Sequence, residues 1–371
     1  TIRSLDWDRS RFDIEFGLRN GTTYNAFLVR GERTALIDTS HAKFRDTWIP
    51  LLKEQIDPIA IDVLIVSHTE PDHSGLIGDL IDLNPNIEIV GSKVALQFLQ
   101  DQVHRPFKSR AVKSGEELDL GTNPDSGIQH RFEFLSAPNL HWPDTIFSFD
   151  HGTGILYTCD AFGLHYCSDD VFDADPGAIA PDFRFYYDCL MGPNARSVLQ
   201  ALKRMDGLPE INTIAVGHGP LLRHHLSHWV SDYRDWSGQR SKGESYAAVC
   251  YLSQYGFSDR ISQAIAHGIG KADAQVQLVD LRATDPQELT ALIGDAKAVV
   301  VPTWPAEPEP DLQASNGPLL AALHPKQLVG VYDAFGGNDE PIDAVADQLR
   351  SQGQKQAFNP LRIKQLPQGS D

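Results

Sequence analysis

The chain has no pair of cysteines in C-x-x-C spacing, no excess of basic residues, and no apolar run near the roughly 18 residues that span a bilayer. The four cysteines, Cys159, Cys167, Cys189 and Cys250, stand apart. That excludes a disulfide framework and a thiolate zinc or iron–sulfur site, and it fits a reducing cytosol. With 32 Lys and Arg against 50 Asp and Glu, the net charge is −18. A surface of that sign repels phosphate backbones and anionic lipid, so neither nucleic acid nor a membrane is an expected partner. The start, Thr1-Ile-Arg-Ser-Leu-Asp-Trp-Asp, has no apolar stretch of a secretory signal. The expectation is a soluble, cytoplasmic protein.

A length of 371 residues calls for two domains, each able to bury its own core. Residues 1–242 hold short strand-like runs, such as Thr34-Ala-Leu-Ile-Asp38 and Asp62-Val-Leu-Ile-Val-Ser67, between turns and amphipathic stretches. From Gly243 the texture becomes a regular alternation. Strands are expected at Ala247–Leu252, Val276–Leu281, Ala298–Val301 and Leu328–Tyr332, with helices at Asp259–Gly268 and Pro286–Ile293. Such a β-α-β series predicts a parallel, doubly wound sheet. The polar stretch Asp235-Trp-Ser-Gly-Gln-Arg-Ser-Lys-Gly-Glu244 is the join, giving domains 1–242 and 243–371.

The strongest chemical signal is Ser67-His68-Thr69-Glu70-Pro71-Asp72-His73, directly after an apolar strand. His68, Glu70, Asp72 and His73 are four ligand-type side chains on one turn, able to converge on one or two cations. His141, Asp160 and His218 follow, each at the end of an expected strand or in a turn. This order resembles the metallo-β-lactamase fold, whose members carry H-x-H-x-D-H, a lone His, a bridging Asp and a final His. Glu70 stands where the hydrolases place His. A carboxylate for an imidazole makes the donor set harder and more anionic, favouring a redox iron pair over zinc.

H-x-E-x-D-H in this fold is the pattern of the flavodiiron proteins, which the chain resembles. Gly21-Thr-Thr-Tyr-Asn25, His141-Trp-Pro-Asp-Thr145 and Asp160-Ala-Phe-Gly163 extend the likeness. The resemblance implies an α/β architecture: a metallo-β-lactamase-like αββα sandwich followed by a flavodoxin-like doubly wound parallel sheet. It also implies a di-iron centre with one iron on His68, Glu70 and His141, the other on Asp72, His73 and His218, and Asp160 bridging them. No catalytic residue beyond these ligands is indicated. Ser67, Trp142 and Asp144 are candidates to support the ligands from behind.

In flavodoxins the loop after the first strand wraps the flavin phosphate with backbone N–H groups at a helix N-terminus. The equivalent run here is Ser253, Gln254, Tyr255, Gly256, Phe257 and Ser258, with Ser258 and Asp259 as the expected cap. An ordinary strand–turn–helix has the same signature. Two further loops, Pro302-Thr303-Trp304 and Ala334-Phe335-Gly336-Gly337, fall at strand ends where open α/β sheets bind ligands. Gly337 replaces the family's aromatic residue and Ala334 its small hydroxyl residue, so one stacking surface is expected to be missing and FMN to bind weakly.

By the same resemblance the expected reaction is reduction of O2 to water, or of NO to nitrous oxide, with electrons passing through FMN from a donor protein or a fused reductase domain. A head-to-tail homodimer is expected. Thr1 in place of Met, and the short tail after Leu361-Arg-Ile-Lys-Gln365, suggest a piece of a cyanobacterial-type protein that continues into a flavin-reductase-like domain. A zinc hydrolase is the competing reading from another class, and Glu70 argues against it. A subunit with an empty metal site is the other, disfavoured by the complete donor set.

Overall fold

Two sheets face each other in the first unit of the chain. The first runs, in spatial order, Ile2–Asp6, Thr22–Arg30, Thr34–Ile37, Val63–Val66, Glu88–Gly91 and Lys108–Ala111; it is antiparallel as far as Thr34–Ile37 and parallel beyond. The second is the meander Glu117–Thr122, Gln129–Ser136, Ile146–Asp150 and Ile155–Cys159, with Thr213–Val216 added in parallel to the last. The computed structural model describes residues 1–12, 16–241, 245–252, 257–270, 272, 274–281, 284, 286–303, 317, 319–335 and 342–364.

Alternation along one strand explains the layering. Val63 and Ile65 point to the core between the sheets, among Phe27, Ile37, Phe132, Phe134, Phe147 and Phe149. Leu64 and Val66 point the other way, onto Trp48, Leu52, Leu80 and Leu99 of the helices Arg45–Gln55, Ile77–Leu83 and Lys93–Val103. Helices Pro176–Tyr186, Ala195–Met205 and Leu226–Ser241 pack on the second sheet through Phe183, Leu202 and Trp229. The result is an αββα sandwich, whose ligand-bearing turns all leave the ends of these strands.

Asp173 fixes the entry to the helix Leu226–Ser241. Its carboxylate accepts hydrogen bonds from the backbone N–H groups of Arg223, His224 and His225 and from Trp229 Nε1, at 2.7–3.1 Å. Burial pushes its pKa up, but these four donors outweigh burial and hold it below the ordinary 3.8. A lowered folded-state value means the carboxylate stabilises the fold fully above pH 3.8 and loses that contribution as pH falls through the lowered value. Asp173→Ala is expected to cost about 2 kcal/mol at pH 7, the scale of hydrogen bonds to a charged acceptor. Urea unfolding at neutral pH checks this, and an unchanged midpoint would refute it.

The chain divides into units Thr1–Ser241 and Lys242–Asp371. In the second, the parallel strands lie in the order Gln275–Asp280, Tyr246–Tyr251, Ala298–Pro302, Leu328–Phe335, with Lys355–Gln356 and Leu361–Lys364 both pairing with Leu328–Phe335. That is the 2-1-3-4-5 order of flavodoxin-like sheets, in which strand order reverses between the first and third strands. Both faces are covered: Ala248, Cys250 and Val301 on one side, Val249, Val300 and Tyr332 on the other. The helix Ile342–Ser351 is an element the sequence reading did not assign, although Ile342, Val345, Ala346 and Leu349 form a buried stripe of helical period. Among the described residues no helix is long and apolar enough to cross a membrane.

Candidate metal centre

Four turns deliver the seven expected ligands. The first leaves Val63–Val66 and is held from two sides. Ser67 N donates to Asp38 Oδ1 at 2.7 Å, and Thr69 N and Oγ1 donate to Asp144 Oδ2 at 2.8 and 2.7 Å. Pro71 then opens the short helix Pro71–Ser74, which presents Asp72 and His73. His141 sits on the loop between the strands Gln129–Ser136 and Ile146–Asp150, where Asn139 N donates to Trp142 O at 2.8 Å and Asn139 has φ +64°. Asp160 follows Ile155–Cys159. Its turn is tied down by Gly217 N to Cys159 O at 2.6 Å and Phe162 N to Tyr233 Oη at 2.9 Å.

His218 explains the segment Gly21–Asn25. Its Nδ1 lies 2.7 Å from the Thr23 carbonyl, which can only accept, so the proton is on Nδ1 and the Nε2 lone pair is free. Asn25 Nδ2 donates to Val216 O and Gly219 O, both at 2.9 Å, and Gly219 N donates to Thr23 Oγ1 at 2.8 Å. Gly219, at φ +83°, makes the turn in a conformation L side chains rarely adopt.

The donor atoms fall into two groups. His68 Nε2 and His141 Nε2 lie 2.9 and 3.2 Å from Asp160 Oδ2, and 3.4 and 2.9 Å from Glu70 Oε2. His73 Nε2 and His218 Nε2 lie 3.1 and 3.3 Å from Asp160 Oδ1, and His218 Nε2 lies 3.3 Å from Asp72 Oδ2. One carboxylate thus gives one oxygen to each group.

Such spacings are the edges of a coordination polyhedron: ligand bonds of about 2.0–2.2 Å put neighbouring donors about 3 Å apart. Two further facts fit a cation better than a hydrogen-bond network. Among the described residues, Asp72 Oδ1 is buried and receives no hydrogen bond. The nitrogens His73 Nε2 and His218 Nε2 face each other at 3.1 Å, although neither is an anion.

Charge tells the same story. Burial disfavours the imidazolium of His68 and of His73, but Cys159 and the surrounding carboxylates outweigh it and hold both rings well above the usual value. His141 is pushed up to about 10, burial being outweighed by Asp160 and Glu70. Asp160 is held well below the usual carboxylate range: burial raises it, and His68 and His73 more than reverse that. The cluster gathers positive charge where a cation would sit, and three carboxylates answer most of the charge of two divalent ions.

A cavity of about 130 Å³ opens on the ligands, walled by Arg9, Phe12, His41, His165, Tyr186 and Leu190. His68, His73, Asp160 and His218 lie at 0–2% exposure, while Glu70 and Asp72 are more open. His165 and Tyr186 were not singled out in the sequence. A lone His five residues after Asp160 is a weak signal, and a tyrosine at the end of the helix Pro176–Tyr186 carries none. Of the expected supporting residues, Asp144 clamps Thr69, Trp142 packs edge-on to His68 with ring centres 5.9 Å apart, and Ser67 Oγ is buried without a hydrogen-bond partner.

Residues 22–219 match the family described as ODP family beta lactamase. The chain is 55% identical over its whole length to diflavin flavoprotein A 1 of Synechocystis, and spans 63% of that relative. Among solved structures it is similar to a metal-soaked flavodiiron core from Synechocystis, 31% identical, with a TM-score of 0.66 over 98% of this chain and 89% of that one. The chain belongs to the flavodiiron protein family. A rubredoxin oxygen:oxidoreductase from Desulfovibrio gigas, 24% identical with a TM-score of 0.60 over 100% of this chain and 92% of that one, shares the fold.

For this flavodiiron chain the flavin side is less fully described. Ser253, Gln254, Tyr255, Gly256, Trp304, Gly336 and Gly337 lie outside the described residues, as do the side chains of Phe257, Ala334 and Phe335. Pro302 and Thr303 end the strand next to the point where strand order reverses, and Thr303 N donates to Tyr332 O at 3.0 Å. One expectation is corrected. The helix spans Phe257–Gly270, so Ser258 lies inside its first turn rather than capping it. Its hydroxyl instead closes the strand-to-helix turn, accepting from Leu252 N at 3.1 Å and donating to Leu252 O at 2.8 Å.

Proposed function

We propose that the chain reduces dioxygen to water at a pair of irons held by His68, Glu70, His141, Asp72, His73, His218 and Asp160, with FMN in the second domain relaying electrons. The observation that carries this reading is the division of the donors into two groups sharing Asp160, over a cavity of about 130 Å³. The cavity is walled by the donors themselves together with Phe12 and Leu190, a setting that suits a small molecule held at the metals. Glu70 adds a hard, anionic donor that suits iron.

Bound iron supplies one-electron chemistry and open coordination positions for a small molecule. The chain's own contribution is the rest. Asp160 and the backbone clamps at Asp38 and Asp144 keep the two groups in register. Phe12 and Leu190 give the cavity an apolar wall suited to an uncharged gas. Tyr186, whose hydroxyl is buried at the cavity, is held by burial and by the nearby Asp160 carboxylate well above the usual phenol value and stays a protonated donor.

FMN is assigned to the carboxyl ends of Tyr246–Tyr251 and Ala298–Pro302, with Ser253 to Ser258, Pro302 to Trp304 and Ala334 to Gly337 as its loops. Electrons come from a donor protein or a reductase domain, and the working unit is a head-to-tail homodimer in the cytoplasm. Anaerobic stopped-flow mixing of the reduced, iron-loaded protein with O2 and with NO tests the reading. Rapid reoxidation by O2 with water as product is expected. Faster reaction with NO, releasing nitrous oxide, would reassign the substrate, and zinc with hydrolase activity in place of iron would overturn the reading.

A further inference from the structure

Cys159 has no part in the ligand set, yet it is buried directly behind it. Its Sγ lies 3.4 Å from His68 Nδ1, and the ligand-type atoms of His68, His73 and Cys159 all fall within 4.8 Å of one another. The residue is held at φ +52°, a left-handed conformation that non-glycine residues rarely adopt. Gly217 N secures it by donating to its carbonyl at 2.6 Å.

The face of Gly217 shows what the sulfur shares. A methyl group built there would lie 3.2 Å from Cys159 Sγ and 3.2 Å from His73 Nδ1. The outer nitrogen of His73 and the sulfur therefore both lie against the same glycine, and among the described residues His73 Nδ1 has no hydrogen-bond partner. His68 belongs to one donor group and His73 to the other. With its Nε2 turned to the metal side, His68 carries the proton on Nδ1 and the sulfur is its acceptor.

We propose that Cys159 is a positioning residue for both halves of the metal centre, its sulfur accepting the outer N–H of His68 and backing the ring of His73. This rests on the di-iron reading above. A sulfur acceptor is weak, so it leaves the His68 imidazole less electron-rich than a carboxylate partner would, and its place behind the His73 ring lets one side chain act on both metals.

The test begins with metal content. A wild-type chain that holds no pair of irons fails the functional reading, whereas a loaded chain allows the following comparison. Cys159→Ala is expected to weaken iron binding by about 10–100-fold, as loss of an outer partner does, and to raise the midpoint potentials of both irons. Cys159→Ser, whose shorter C–O bond reaches less far but keeps an acceptor, is expected to fall between alanine and wild type. In wild type, the Cys159 S–H stretch in infrared difference spectra is expected to shift between metal-free and metal-loaded protein, with zinc serving as well as iron. Unchanged potentials in both variants, or an S–H band indifferent to metal, would overturn the proposal. The band decides the matter even if Cys159→Ala fails to fold.

Discussion

Asp160→Ala is expected to leave each chain with less than one iron and to abolish gas reduction. Among the described residues Asp160 is the only carboxylate that faces both donor groups, Oδ2 toward His68 and His141, Oδ1 toward His73 and His218. Removing it sets four imidazole nitrogens around a space without the anion that draws them together. Loss of a mere outer partner costs about 10–100-fold in metal affinity, and loss of a shared inner ligand is expected to exceed the upper figure. Elemental analysis after gel filtration reads the outcome, with circular dichroism to establish that the sandwich persists. A folded variant that retains two irons would remove Asp160 from the bridging role.

Gly217→Ala is expected to be nearly as damaging, although the residue carries no chemistry. The added Cβ would lie 2.6 Å from His73 Cε1, closer than real Cβ contacts allow. His73 cannot retreat freely, since its carbonyl accepts from Thr39 N at 2.7 Å and its Nε2 is committed to Asp160. Overpacking of this kind costs about 1–3 kcal/mol, paid largely by the ring's position. The expected result is a lower unfolding temperature in the metal-free protein and loss of the second iron. A variant with wild-type iron content would show that the ring has room.

How much of this was legible in the sequence follows from where each signal lies. His68 to His73 crowd one turn after an apolar strand, so their chemistry shows in six consecutive letters. His141, Asp160 and His218 gain meaning only from order and resemblance, because the sandwich brings them in from the opposite sheet. The segment Gly21–Asn25 was visible as a likeness, but its work of fixing the His218 tautomer depends on a strand distant in sequence. Asp38, with φ +56°, directly follows the strand Thr34–Ile37, and Cys159, with φ +52°, ends Ile155–Cys159; neither letter is unusual in the sequence. Only the folded turn shows that each leaves its strand in a strained conformation to reach the ligand loop. In the second domain the period of apolar residues was sufficient for strands and order, whereas Ser258 misled because a serine near a helix start can cap it or tie back to the strand.

The two groups of donors also divide by sheet. His68, Glu70, Asp72 and His73 leave the first sheet, and His141, Asp160 and His218 leave the second. Each cation would therefore be gripped from both halves of the sandwich and act as a rivet between them. Elsewhere the halves adhere mainly through non-directional contacts of Phe, Val and Leu side chains, joined by a few hydrogen bonds such as Arg33 N to Leu120 O at 2.8 Å. At this end the protein's own hydrogen bonds, Thr69 to Asp144 and Asn25 to Val216 and Gly219, already align the two sheets, and bound cations would lock that register from within.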